Sequence, residues 1–86
     1  MSERARILVI DDEKALADMI CEALIADGHQ ALSVGDGKEA LDLISGGDRR
    51  FDLIISDIKM PGMDGFTLCE RVRANPALVQ VPFIFL

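Results

Sequence analysis

The sequence predicts an α/β fold built on a doubly wound parallel sheet, and two observations predict it. Short apolar runs, several of them β-branched, alternate along the 86 residues with segments of helical periodicity. The strand-like runs are apolar at nearly every position, which is typical of parallel strands that helices cover on both faces. The alternation gives the order β-α-β-α-β-α-β, which is an incomplete version of such a sheet.

The first half of the chain supplies two strands and one helix. The first strand is ILVI, between Arg6 and Asp11, and a weaker second strand is HQALSV over 29–34. Between the two strands, the sequence predicts a helix over 14–27, and Gly28 is placed to end it. Its apolar positions recur at helical spacing. They are Leu16, Ile20, Ala23 and Leu24.

The second half repeats the alternation. A helix is predicted within 36–47, with Asp36 as N-cap, Glu39 three residues later and Gly46-Gly47 as its end. A strand over 51–56, a helix over 65–74 ended by Asn75-Pro76 and a strand over 81–86 follow. The side chains predicted to face inward are Ala40, Leu41 and Ile44 in the second helix and Phe66, Cys69 and Val72 in the third.

Composition limits the classes of function. Hydrophobic residues make up 50% of the chain and charged residues 28%, which indicates a globular domain. The net charge of −6 argues against nonspecific nucleic-acid or membrane-surface binding. No apolar run reaches the roughly 20 residues of a membrane span, so we expect a cytoplasmic chain in which Cys21 and Cys69 are buried free thiols.

The last strand suggests that 1–86 is the N-terminal part of a larger domain. FIFL, at 83–86, is apolar at every position and therefore expects cover on both faces and a neighbour on each edge. An apolar strand left at a sheet edge favours aggregation. We therefore expect the 86-residue chain to be marginally stable alone. Self-association, or exchange of segments between copies, would stabilise it.

Acidic residues follow two of the strands. Asp11, Asp12 and Glu13 end the first strand, and Asp57 ends the third. Ligands of open parallel sheets bind beyond the carboxyl ends of the strands, and clustered carboxylates attract a hard cation such as Mg²⁺. Taken alone, the first group is better explained by helix capping, and turn formation explains Asp57, but both explanations would then have to hold by coincidence.

Two motifs carry a resemblance to a known family. ILVIDDE near the N-terminus is followed about 45 residues later by DLIISDIKMPGMDG, at 52–65. Together they resemble the receiver domain of two-component response regulators, the CheY-like, flavodoxin-like fold. The resemblance extends over essentially the whole chain, and the second motif is the more specific of the two.

The resemblance implies a role for each acidic position. Asp57 would be the phosphoacceptor, which takes a phosphoryl group from a sensor histidine kinase or a histidine phosphotransfer protein in a phosphorelay. Asp12, Asp57 and the backbone carbonyl of Lys59 would ligate Mg²⁺, and Asp11 would act through water. The loop after Asp57 would aim the Lys59 carbonyl, with Met60 and Met63 used in packing. The chain would be a signalling module, not an enzyme that turns over an external substrate.

The resemblance also implies parts that lie beyond residue 86. The family places a Ser or Thr directly after the fourth strand and a Lys at the end of a fifth, with an aromatic switch residue nearby. Lys14, Lys38 and Lys59 lie in the wrong elements to replace that Lys.

Two other functions stay open, a receiver-like interaction module that is never phosphorylated and, less favoured, a phosphohydrolase of the haloacid-dehalogenase type. The hydrolase expects Asp-x-Asp at the first strand, whereas this chain has Asp11-Asp12-Glu13. His29, after the helix-ending Gly28, is expected to be a solvated turn residue. Arg49 and Arg50 are expected to lie in a solvated loop.

Overall fold

A four-stranded parallel sheet forms the centre of the molecule. The computed structural model describes residues 4–46 and 50–86, so the predictions for Gly47 and Arg49 lie outside the described residues. The strands are β1 (Arg6–Ile10), β2 (Gln30–Val34), β3 (Leu53–Ser56) and β4 (Phe83–Phe85). The helices are α1 (Lys14–Ala26), α2 (Gly37–Ser45), α3 (Gly65–Arg73) and a 3₁₀ turn at Pro76–Leu78.

The strand order β2-β1-β3-β4 confirms the doubly wound topology. The chain moves from β1 to β2 on one side and then crosses to β3 on the other side of β1. The order therefore reverses between β1 and β3, and in open α/β sheets the ligand site lies at the carboxyl ends of the two strands that flank this reversal. In register, Ile10 of β1 lies beside Ser56 of β3, so Asp11 and Asp57 follow at the same edge.

Two apolar clusters cover the two faces of the sheet. The larger cluster, on the α2 and α3 side, includes the fully buried Leu8, Ile54 and Leu68. The smaller cluster, on the α1 side, contains Ile7, Val9, Ala17 and Cys21. Because side chains alternate along a strand, adjacent residues of β1 divide between the two clusters.

The apolar stripe of α1 is offset from the predicted one. Ala17 and Cys21 are its buried residues, whereas Leu16 is 37% exposed and Ala23 is exposed. Ile20 and Leu24 are half-buried and pack at the edge of the smaller cluster. The prediction is therefore confirmed for Ile20 and Leu24 and wrong for Leu16 and Ala23, since Ala17 and Cys21 are the residues that α1 buries.

The predicted N-cap of α2 is confirmed, and the predicted inward face of α3 is confirmed only in part. Asp36 Oδ1 accepts a hydrogen bond from the Glu39 backbone N–H at 2.7 Å, as expected of an N-cap. In α3, Val72 is buried as predicted and Cys69 is half-buried, but Phe66 is 53% exposed. The prediction for Phe66 was therefore wrong, and Leu68 occupies the core position instead. Phe66 contacts the Phe85 ring, with centroids 4.9 Å apart.

Arg73 holds the segment before β4, which pairs with β3 only through the Pro82 carbonyl. The strand predicted over 81–86 is ordered as a strand only at 83–85, and a 3₁₀ turn precedes it. Arg73 Nη1, in the last turn of α3, donates to the backbone carbonyls of Leu78, Val79 and Val81, at 3.3, 2.9 and 2.6 Å. A single guanidinium thus joins the end of α3 to the entry of β4.

His29 has a partner instead of being solvated. Its side chain is only 24% exposed, and its Nδ1 accepts a hydrogen bond from the Ala5 backbone N–H at 3.0 Å. The expectation of a solvated turn residue was therefore wrong, since the imidazole fixes the chain just before β1. Arg50, by contrast, is exposed as predicted.

Candidate functional site

Three aspartates converge where the strand order reverses. One carboxylate oxygen from each of Asp11, Asp12 and Asp57 lies within 4.8 Å of the others. Asp11 is buried, Asp57 is half-buried and Asp12 is exposed, so solvent reaches the cluster from the Asp12 side. The structure thus brings together the three acidic residues that the sequence singled out, although they are separated by as many as 46 positions.

Backbone hydrogen bonds hold Asp11 at the top of β1. Its N–H donates to the Val34 carbonyl at 3.2 Å, which ties it to β2. Its Oδ1 accepts from the Glu13 N–H at 2.8 Å, a local turn that aspartate commonly makes. This contact orients the buried carboxylate.

Asp57 is held from the opposite side. Its N–H donates to the Ile10 carbonyl at 2.9 Å, which extends the pairing of β3 with β1 by one residue. Its Oδ1 accepts from the Ile58 N–H at 2.8 Å. The fully buried Ser56 hydroxyl donates to the Asp57 carbonyl oxygen at 2.9 Å. The backbone of Asp57 is therefore fixed, and its Oδ2 accepts no hydrogen bond found among the described residues.

The loop after Asp57 is shaped by two glycines for different reasons. Gly62 has φ +79°, a conformation that favours glycine. Gly65 does not have a positive φ, but a Cβ there would collide with the carbonyl oxygen of Asp57. Its N–H donates to the Ile58 carbonyl at 2.8 Å, so the first turn of α3 closes tightly on the site.

The other predicted loop residues are placed as follows. Met60 is buried and Met63 packs beside the larger cluster, which confirms their packing role. Lys59 is exposed, and its carbonyl accepts no hydrogen bond in the described part of the chain. That carbonyl therefore remains available as a ligand, and its role as one stays a prediction.

The donor set fits a magnesium ion. Mg²⁺ takes oxygen ligands at 2.0–2.1 Å in octahedral geometry, so its ligand oxygens lie within about 4.2 Å of one another. Carboxylate oxygens already within 4.8 Å need only small side-chain rotations to reach that spacing. The exposed side of the cluster leaves room for waters, which Mg²⁺ usually keeps.

Cations and acids near the site are mostly engaged elsewhere. Lys14 lies beside Asp11 and Asp12 in a cavity of about 320 Å³ but pairs with Asp18 at 2.9 Å, and this partner raises the pKa of the Lys14 ammonium. At the start of α3, the Thr67 N–H donates to Asp64 Oδ1 at 2.8 Å and lowers the pKa of the Asp64 carboxyl. Asp64 therefore caps a helix and does not join the cluster.

Sequence reasoning did not find the role of Ser56, and it assigned Gly65 to the loop for its backbone freedom and not for the close approach that the structure shows. Ser56 is buried and fixes the backbone of Asp57, and Gly65 allows α3 to approach it. For Ser56 the only available signal is its position one residue before the acid, on the face that alternates into the core. No signal in the sequence distinguishes the close approach at Gly65 from an ordinary loop glycine.

The family model for the response regulator receiver domain matches residues 7–86. The chain belongs to this family. The receiver match spans both motifs and every strand and helix of the fold.

Curated and solved receivers agree with this assignment. The DNA-binding response regulator MtrA of Mycolicibacterium smegmatis is 37% identical over 83 residues, which is 96% of this chain and 34% of MtrA. The chemotaxis protein CheY4 of Vibrio cholerae superposes with a TM-score of 0.89 at 32% identity, covering 96% of this chain and 68% of that one. A receiver domain of a signal transduction histidine kinase from Syntrophus aciditrophicus gives 0.88 at 38% identity, covering 95% and 61%.

The chain spans about a third of the length of the curated relatives that it matches, 26% to 34% for the first four. The part of the chain that matches the receiver-domain family is 7–86. Receiver domains are generally signalling modules and not enzymes that turn over substrates. Within residues 4–46 and 50–86, no helix is long and apolar enough to cross a membrane.

Proposed function

We propose that this receiver accepts a phosphoryl group on Asp57, with Mg²⁺, from a histidine kinase or a histidine phosphotransfer protein. The convergence of the Asp11, Asp12 and Asp57 oxygens within 4.8 Å supports this most directly. A site with one carboxylate as acceptor and two more to hold a cation is what phosphoryl transfer to an aspartate requires. The proposed setting is the cytoplasm, and the chain would act as the N-terminal part of the receiver.

The residues of the site have different roles in the proposed phosphoryl transfer. Asp57 Oδ2 forms the new P–O bond as the P–N bond of the donor phosphohistidine breaks and its electron pair returns to the imidazole. The Ile58 N–H, bound to Oδ1, fixes the carboxylate so that the other oxygen faces the donor. Asp12, Asp57 and the Lys59 carbonyl would hold the cation, with Asp11 acting through water. When bound, Mg²⁺ offsets the negative charge of the transferring phosphoryl group.

The test uses the 86-residue chain, Mg²⁺ and a small phosphoryl donor, with intact-mass spectrometry as the measurement. We expect one added phosphoryl group, which chelation of Mg²⁺ and Asp57→Asn each abolish. The matched control is Asp36→Asn, which changes an exposed aspartate outside the site to a residue that also caps a helix. This variant should be modified like the unaltered chain.

Two results would contradict the proposal. Donor turnover that survives Asp57→Asn but not Asp11→Asn would indicate a hydrolase. No modification at all, together with normal folding by circular dichroism, would leave a receiver-like interaction module.

A further inference from the structure

Ser56 is one of only two polar or charged side chains that are buried within residues 4–46 and 50–86, and the other is Asp11 of the acidic cluster. Ser56 is fully buried, and it shares with Ile54 the face of β3 that packs against the larger apolar cluster. An apolar side chain of similar size would fill this position as well, so packing alone does not require a hydroxyl. A buried hydroxyl costs free energy unless it is hydrogen-bonded, so its hydrogen bond is where a role should be sought.

The hydroxyl of Ser56 binds the peptide group that joins Asp57 to Ile58. Ser56 Oγ donates to the Asp57 carbonyl oxygen at 2.9 Å. At the other end of the same peptide group, the Ile58 N–H donates to Asp57 Oδ1 at 2.8 Å. The peptide is trans and planar, so its C=O and N–H point in opposite directions and turn together. Fixing the carbonyl therefore fixes the direction of the N–H that holds the Asp57 carboxylate.

Ser56 is the only hydrogen-bond donor that the described residues offer to this carbonyl. The Asp57 N–H continues the ladder to Ile10 of β1, but no backbone N–H in the described part of the chain donates to the Asp57 carbonyl. The carbonyl faces the backbone of Gly65 instead, where a Cβ would not fit. Without the hydroxyl, the carbonyl would have no hydrogen-bond partner among these residues, and the peptide group would be free to turn.

We propose that Ser56 is a positioning residue for phosphoryl transfer to Asp57. Its hydroxyl holds the 57–58 peptide group, and the Ile58 N–H of that group holds Oδ1, which leaves Oδ2 as the oxygen that attacks. Hydrogen bonds in such a chain also polarise one another, which strengthens the bond to the carboxylate. A small misplacement of a reacting atom slows a reaction many-fold, so the hydroxyl should affect the rate of transfer. This inference rests on the proposed function, in which Asp57 is the acceptor.

The rate of phosphoryl uptake in variants of Ser56 tests this role, with Mg²⁺, a small phosphoryl donor and intact-mass spectrometry. Ser56→Ala should take up the phosphoryl group about three- to tenfold more slowly than the unaltered chain, which is the effect of one hydrogen bond of ordinary strength. Ser56→Thr keeps a hydroxyl and Ser56→Val has the same shape without one, so the threonine variant should be the faster by a similar factor. The matched control is Ser45→Ala, the same change at an exposed serine that ends α2, which should leave the rate unaltered.

Hydrogen exchange of the Ile58 N–H, measured by NMR, tests the positioning without any phosphoryl donor. Ser56→Ala should speed this exchange about threefold or more. The internal control is the Glu39 N–H, which makes an equivalent hydrogen bond to Asp36 Oδ1 at 2.7 Å in α2. A general loss of stability would speed the exchange of both amides alike, whereas a loss of positioning should speed only that of Ile58. Circular dichroism of each variant reports folding.

Each of three results would overturn the inference. They are equal uptake by Ser56→Ala and the unaltered chain, equal uptake by Ser56→Thr and Ser56→Val, and an Ile58 exchange rate that rises no more than that of Glu39. No uptake by the unaltered chain would instead contradict the proposed function. The exchange of the Ile58 N–H would then still decide whether Ser56 holds the carboxylate.

Discussion

At Gly65, the backbone of α3 approaches the carbonyl oxygen of Asp57 so closely that no methyl group fits between them. Gly65→Ala must therefore displace either the helix or the acceptor residue. We expect a loss of about 1–3 kcal/mol in the free energy of unfolding, the usual cost of overpacking. Phosphoryl uptake by Asp57 should fall as well, because the displaced carbonyl belongs to that residue.

Urea unfolding and intact-mass spectrometry measure the two effects of Gly65→Ala. Gly35→Ala is the matched control, since a Cβ at Gly35 has no neighbour within 4 Å and its φ is not positive. It should change stability by less than about 1 kcal/mol and leave uptake unaltered. Equal behaviour of the two variants would show that the contact does not constrain the site.

The sequence could predict the acidic residues of the site but not the residues that hold them. Asp11, Asp12 and Asp57 stand out because carboxylates are unusual at the ends of apolar strands. Gly65 and the Ala5–His29 contact depend on segments that meet only in the folded chain. A local pattern carries no information about either.

At the scale of the element, the N-terminus of α3 depends on the charge of Asp64. The Thr67 N–H stabilises the ionised carboxylate and lowers the pKa of the Asp64 carboxyl. A carboxyl whose folded pKa lies below its unfolded value of about 3.9 stabilises the fold above that value. This contribution disappears as pH falls through the folded pKa.

We therefore expect Asp64→Ala to be less stable than the unaltered chain at neutral pH, and the difference to shrink below about pH 4. Urea unfolding at a series of pH values measures it. Asp64→Asn keeps a capping side chain that does not titrate, so it should lose less stability at neutral pH. A difference for Asp64→Ala that is constant from neutral to acidic pH would contradict this account.

The types of the helices and strands and their order were predictable from the sequence. The buried faces of the helices and the first and last residues of the strands were less predictable. Hydrophobic periodicity placed α1 correctly but selected Leu16 where Ala17 faces the sheet, since periodicity does not report how close a helix packs. In α3, Phe66 looks like a core residue yet lies outside, because Leu68 fills the core. β4 is shorter than its apolar run because the Arg73 contacts hold the preceding residues in a turn.

At the scale of the whole molecule, binding of a cation should raise global stability. A ligand that binds only the folded state stabilises it by RT ln(1 + [L]/Kd), about 1.4 kcal/mol at ten times Kd. The Asp11, Asp12 and Asp57 oxygens converge only in the fold, so the unfolded chain has no equivalent site.

We expect Mg²⁺ to raise the Tm of the chain and chelation to reverse the rise, as measured by thermal unfolding. Asp12→Asn should remove most of the Mg²⁺ dependence, whereas Asp36→Asn, which is not one of the three clustered aspartates, should keep it. Because Asp12 is exposed, its replacement should cost little stability without metal. An equal Mg²⁺ effect in both variants would mean that the cation acts by nonspecific screening of the −6 net charge.

The hydrogen bonds of Arg73 mean that α3 is attached to the rest of the fold at both of its ends. One end of the helix rests against the carbonyl of the acceptor aspartate, and the other end grips three carbonyls at the entry to the edge strand. The helix between these two contacts is nine residues long. The two attachments lie about 13 Å apart at 1.5 Å per residue, so one short helix connects the acceptor aspartate with the entry of β4.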